Sequence, residues 1–128
     1  MAKTTQITVT AESKPGVLAK VTDALAQAGV NIVAVCAGES SGRGKIRLVV
    51  SDPARAKQAL TAAKIRCGEE PALLLSMDDR PGALAAVASR LASAKINVKC
   101  AYATAGGGGK AQVVLVVANP DKAERVLG

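Results

Sequence analysis

The sequence has no tryptophan, no phenylalanine, no histidine and a single tyrosine, Tyr102. Without ring side chains there is little on which nucleobases can stack, which argues against a nucleic-acid platform. Without histidine, zinc sites of the usual Cys/His kind are excluded, and so is the commonest general base. Three cysteines, Cys36, Cys67 and Cys100, leave an all-cysteine tetrahedral site one ligand short. They are expected as small buried thiols in a reducing cytosol. No apolar run approaches the roughly 18 residues of a membrane-spanning helix, and no signal peptide is visible, so a soluble, cytoplasmic protein is expected. Carboxylates do not cluster, and no cofactor is expected.

Hydrophobic residues nevertheless make up 49% of the 128 residues. The core must therefore be built from Ala, Val, Leu and Ile, each of which buries little area. Two copies sharing a seam, or a dimer, would offset that weakness. The net charge is +7, from 17 Lys and Arg against 10 Asp and Glu. These cations are spread along the chain without a run of three, and they read as a solvated surface. Ser40–Lys45 is glycine-rich and basic but lacks the order of a phosphate-binding loop, so it reads as a hairpin.

The sequence repeats itself. Ser13–Ala37 set above Asp79–Ala103, at an offset of 66, matches at Pro15/Pro81, Gly16/Gly82, Leu18/Leu84, Val21/Val87, Leu25/Leu91 and Asn31/Asn97, and at four alanines. Asp52-Pro53 meets Asn119-Pro120 at an offset of 67, each pair a helix cap followed by a first-turn proline. Domains are expected at 1–70 and 71–128.

Each copy reads in one order. Strands are expected at Ile7–Ala11, Val30–Ala37 and Lys45–Ser51, with helices from Val17 to Ala28 and at Pro53–Ala63. The second copy gives strands at Ala72–Met77, Ile96–Thr104 and Ala111–Ala118, with helices at Gly82–Ala94 and Pro120–Leu127. Gly38–Gly44 and Ala105–Gly109 are expected turns, the latter a flexible tip able to act as a lid. The fold class is α+β: two βαββαβ units with antiparallel sheets and helices on one face. Lys64–Cys67 is the candidate fourth strand of the first copy. The second copy lacks an equivalent, so its edge is open, paired to the other copy, or completed by another chain. Strict alternation sends Val30, Ile32, Ala34 and Cys36, and likewise Ile96, Val98, Cys100 and Tyr102, toward the helices. Val33 and Val35 then face outward, where an interface is expected.

One constellation carries chemistry. A Pro-Gly turn leads into a helix whose first amides are unpaired, and an Asn opens the following strand. Uncapped amides at the positive end of a helix dipole suit a carboxylate. An Asn side chain offers a donor and an acceptor. In a ferredoxin-like unit turn and Asn are expected close together, at one end of neighbouring strands, where they can hold an α-amino acid by its carboxylate and amine. The residues alone leave open that the turn merely starts a helix and the Asn merely ends a loop.

The pattern Asp79-Arg80-Pro81-Gly82-Ala83-Leu84 with Ile96-Asn97-Val98, repeated as Ser13-Lys14-Pro15-Gly16-Val17-Leu18 with Val30-Asn31-Ile32, resembles the ACT domain family over almost the whole chain. The resemblance implies ferredoxin-like units that bind a free amino acid between paired domains or subunits and regulate a partner protein. It implies a homodimer and no enzyme activity. Carried over, the site residues are Ser13, Lys14, Pro15, Gly16, Val17, Leu18 and Asn31, with Asp79, Arg80, Pro81, Gly82, Ala83, Leu84 and Asn97. Ser13 departs from the family's usual Asp or Asn. The rival readings are a structural dimerisation module and a nucleic-acid-binding ferredoxin-like protein.

Overall fold

Asp52 and Asn119 cap their helices as their sequence context requires. Asp52 accepts a hydrogen bond from the Arg55 amide (3.1 Å), and Asn119 accepts one from the Lys122 amide (3.1 Å). In the computed structural model, which describes residues 2–128, ten elements follow in order. They are β1 (Ala2–Glu12), α1 (Val17–Gln27), β2 (Ile32–Ser40), β3 (Arg43–Val50), α2 (Pro53–Ala62), β4 (Gly68–Asp78), α3 (Ala83–Ser93), β5 (Val98–Gly107), β6 (Lys110–Val117) and α4 (Pro120–Leu127). No helix among the described residues is long and apolar enough to cross a membrane.

The chain forms two compact units. The first spans Thr5–Glu70, and the second joins residues 2–4 to Pro71–Gly128. In the first unit the strand order is β2-β3-β1-β4, and in the second it is β1-β4-β6-β5. Two strands are thus used twice. β1 gives its opening residues to the second unit and the rest to the first, and β4 does the reverse. The second copy takes its fourth strand from the start of its own chain, which closes the edge left unassigned by the sequence. Lys3, in that borrowed stretch, forms an ion pair with Asp121 of α4.

Lys64–Cys67 is not a strand; the fourth strand of the first unit begins at Gly68. The reason lies in how α2 ends. Lys64 adopts a left-handed conformation (φ 62°), its amide reaches Thr61 O (3.0 Å), and the Ile65 amide reaches Leu60 O (2.8 Å). This closing pattern needs residues 64 and 65 for itself.

In the first unit, Val21 and Leu25 of α1 and Ala56 and Leu60 of α2 pack with Ile7, Val9, Ile46, Leu48 and Val50. Alternate strand residues supply that cluster, so both helices cover one face. In the second unit, Leu91 and Ala123 pack with Leu73, Leu75, Val113, Leu115 and Val117 in the same way.

Alternation fails at one place in each copy. Ile32 pairs with Val50 but Ala34 with Val49, and Val98 pairs with Val117 but Cys100 with Val116. Each shift is a bulge, which reverses the facing of every later residue on the strand. Ile32 and Val98 face the helices as expected. Ala34 and Cys36, and Cys100 and Tyr102, face the other side. Val35, opposite Leu48, lies on the helix face and is 46% exposed. The outward pair Val33 and Val35 therefore does not exist as a patch.

The hairpins are tighter than their glycine content suggests. The first turns on Ser41 and Gly42 alone (φ 51° and 76°), and the second on Gly108 and Gly109 (φ 60° and 77°). Positive φ at both central residues matches the twist of the flanking strands.

Candidate functional site

β1 ends at Glu12, and Ser13-Lys14-Pro15-Gly16 carries the chain into α1. Gly16 sits before the helix at φ 92°, ψ −10°, a region that costs other residues on the order of 1–3 kcal/mol. Neither α1 nor α3 has a side-chain cap; the Val17 amide donates to Lys14 O (3.4 Å) and the Ala83 amide to Arg80 O (3.3 Å), and the amides that follow in each first turn are left to solvent or a ligand. The loop is nonetheless anchored. The Ser13 amide donates to Gly42 O (3.0 Å), and in the second unit the Asp79 amide donates to Gly109 O (2.8 Å). Each hairpin tip is thereby tied to the loop, and the Gly106–Gly109 stretch is a strut rather than a lid.

Beside this loop in the first unit lies a cavity of about 250 Å3. Ser13, Lys14, Val17 and Leu18 line it, together with Ala11, Glu12, Ala37, Gly38, Glu39, Gly44 and Ile46. Pro15 and Gly16 shape the turn without lining it. The Ser13 hydroxyl donates to the Glu39 carboxylate. Leu18 stands at the mouth, 47% exposed. The volume falls just below the roughly 300–1,000 Å3 usual for small-molecule sites, so it suits a compact ligand. Glu12, Glu39, Ala37 and Ile46 were not singled out from the sequence. The bulge at Val33 is what brings Ala37 opposite Ile46, and no sequence feature announces it.

The second unit repeats the backbone with different charges. Gly82 precedes α3 at φ 89°, ψ −13°, Ala83 opens the helix, and Leu84 is 47% exposed. Asp78, however, pairs with Lys110 (2.6 Å) and with Arg80 (3.6 Å). Arg80 also donates to Pro81 O (3.4 Å). The hydrogen bond and charge of Lys110, aided by Arg80, hold the Asp78 carboxyl below its ordinary value. A carboxylate whose pKa is depressed by folding stabilises the protein above its unfolded value, about 3.9, and ceases to do so as pH falls through the folded one. At pH 7 Asp78→Asn is therefore expected to melt slightly below wild type. That Tm gap should narrow as pH falls below the unfolded value, about 3.9, and a gap independent of pH would remove the role of this pair.

Asn31 and Asn97 are not brought to the turns of their own units, contrary to expectation. The Asn31 amide donates to Ser51 Oγ (2.9 Å), and Asn31 O accepts from the Ser51 amide (2.9 Å). Asn97 O likewise accepts from the Ala118 amide (3.0 Å). Glu12, at the turn, is opposite Arg43. The eight residue-to-residue steps from Arg43 to Ser51 span roughly 26 Å at about 3.3 Å per step. The helix returns the chain to the far end of the sheet before β2 begins, so turn and Asn lie at opposite ends of one unit.

Comparison with known proteins adds the following. A family model described as an ACT domain pair matches residues 2–127. Protein BT0572 from Bacteroides thetaiotaomicron is 32% identical with a TM-score of 0.91, over 98% of this chain and 86% of that one. The ligand-free regulatory subunit of aspartate kinase from Thermus thermophilus is 22% identical with a TM-score of 0.72, over 98% and 91%. The corresponding subunit from Thermus flavus is 20% identical with a TM-score of 0.68, over 98% and 88%. The two aspartate kinase likenesses are likenesses of fold. No curated protein matches the chain.

Proposed function

The chain belongs to the ACT domain pair family, and we propose on that footing that it is a non-catalytic regulatory protein whose first unit binds a free amino acid. The observation that carries this reading is the cavity at the start of α1. Uncapped amides there receive the ligand carboxylate. Glu12 and Glu39 receive its ammonium group, while Val17, Leu18 and Ile46 take an apolar or small side chain. With no histidine in the chain, the site lacks the usual proton shuttle, in keeping with binding rather than turnover.

A second copy of the protein completes the site in this reading. β2 is the edge strand of the first unit. Two chains pairing antiparallel along that edge bring the turn of one to the Asn31 end of the other. The turn of the second unit, Asp79 to Leu84 with Asn97, forms a weaker site by the same logic, because Lys110 and Arg80 already neutralise Asp78. That internal pairing also favours a second reading for this unit alone, a structural and dimerising one. A ligand that stabilises one arrangement of the dimer gives a partner protein something to read.

Thermal-shift measurements against the standard amino acids test this. A ligand at 100 times its Kd adds about 2.7 kcal/mol, a shift of several degrees. Glu39→Gln is expected to weaken binding about tenfold or more, and Ser13→Ala a few-fold. Asn31→Ala should weaken it too, although Asn31 lies far from the turn of its own unit. Asp79→Ala and Asn97→Ala should have smaller effects. If no amino acid moves the midpoint, the function is lost as proposed; if only Asn31→Ala is silent, the subunit-shared site falls.

A further inference from the structure

Sheet order places β1 between β3 and β4 in the first unit. The amino-acid cavity lies on the β3 side. Between β1, α1 and the stretch that follows α2 is a second cavity of about 260 Å3, floored by Val9, Val17, Val21 and Ile65. Its rim carries Lys14, Lys20, Lys64 and Arg66, with Glu12 as the one carboxylate. These cations come from three separate segments: the loop before α1, the first turns of α1, and the stretch after α2. None of the four takes part in an ion pair among the described residues. Elsewhere Lys110, Arg55, Lys57 and Lys3 pair with Asp78, Asp52, Glu69 and Asp121, while Arg43, Lys45 and Arg47 gather near the first hairpin beside Glu39. Part of the scattered charge of the sequence thus gathers, over an apolar floor, into a cationic mouth.

We propose that this cavity binds a small organic phosphate. Four cations against one carboxylate leave three positive charges facing each other, and a phosphate monoester brings close to two negative charges with strong acceptor oxygens. Lys64 and Arg66 on one wall and Lys14 and Lys20 on the other take the phosphate oxygens. The apolar floor, with Val9 and Val21 only 2% and 1% exposed, takes the carbon skeleton. A concave pocket of this size holds a compact molecule and not a polynucleotide, which needs an extended groove and stacking surfaces. Because Lys14, Glu12, Ala11 and Val17 line both cavities, occupancy of one is felt at the other, and the coupling is reciprocal.

The test is titration calorimetry with AMP, phosphoenolpyruvate and inorganic phosphate as probes, each balanced against sodium chloride at equal ionic strength. At least one organic phosphate is expected to bind, and more tightly than inorganic phosphate. Lys64→Gly with Arg66→Ala should weaken that binding at least tenfold. Residue 64 holds a left-handed φ of 62°, where glycine is at ease, so this variant keeps the fold. Ser13→Ala, which lines only the amino-acid cavity, should leave phosphate binding unchanged when no amino acid is present, so a failure of the amino-acid site is told apart from a failure of this one. With these probes, three results overturn the proposal: no probe exceeding the salt control, equal affinity in the double variant, or inorganic phosphate binding as tightly as the organic probes. Tighter, steeply salt-dependent binding of a 20-nucleotide RNA, lost in the same variant, overturns it in favour of a nucleic-acid surface.

Discussion

Leu48→Ala is expected to destabilise the first unit by about 3–4 kcal/mol, the upper-middle of the range for buried leucine truncation. Leu48 is fully buried and sits on β3, opposite Ile7 on one side and Val35 on the other. Its side chain packs in the cluster with Val21, Leu25 and Leu60, beneath both helices. The absence of Trp and Phe matters here. The neighbours are small and branched, and none can reach across to fill the space of a lost isobutyl group. The residual cavity then adds its own penalty. A unit of this length is stable by only about 3–10 kcal/mol, so this single change removes a third or more of the total. Urea unfolding followed by far-ultraviolet circular dichroism would measure it, and a loss below 1 kcal/mol would show a core that collapses freely. Leu18→Ala is the matching control. Its side chain is 47% exposed at the mouth of the amino-acid cavity, so stability should hold while affinity falls.

Much of the architecture was legible because each copy repeats local chemistry that stands on its own. Asp52-Pro53 and Asn119-Pro120 start their helices by capping, and Gly16 and Gly82 hold a backbone conformation that other residues resist. Such features act within a few residues, so sequence displays them. What stayed hidden depends on distant partners. Ala2–Thr4 looks like a polar lead-in and becomes a strand only because β4 offers it an edge. The bulge at Val33 interrupts a run, Val30 to Val35, whose alternation carries no mark of the break. The misplacement of Asn31 has a different origin. The βαβ crossover itself dictates that β2 starts where β1 started, at the end away from the turn, and spacing along the chain hides this. At the site, the turn could be read while the far wall, Ala37 to Glu39, could not, since it arrives through strand pairing.

Gly106→Ala is expected to cost about 2 kcal/mol, within the range for forcing a methyl group into filled space. A Cβ at residue 106 would stand 2.9 Å from Lys110 O and 3.2 Å from Lys110 C. Both are backbone atoms of the facing strand and cannot rotate away, so the β5–β6 hairpin must open. The consequence reaches the loop before α3. Gly109 O holds the Asp79 amide, and Lys110 holds the Asp78 carboxylate. Opening the hairpin loosens both, so the Asp79 amide should exchange with solvent faster than in wild type, beyond what the drop in Tm explains. Gly38→Ala makes the opposite case: a Cβ there meets nothing within 4 Å, and the strand should gain slightly from lost chain entropy. Yet Gly38 lines the amino-acid cavity, so its added methyl should weaken ligand binding in a protein at least as stable as the original. If Gly106→Ala melts within a degree of wild type with the Asp79 amide still protected, the hairpin is not the strut that holds this loop.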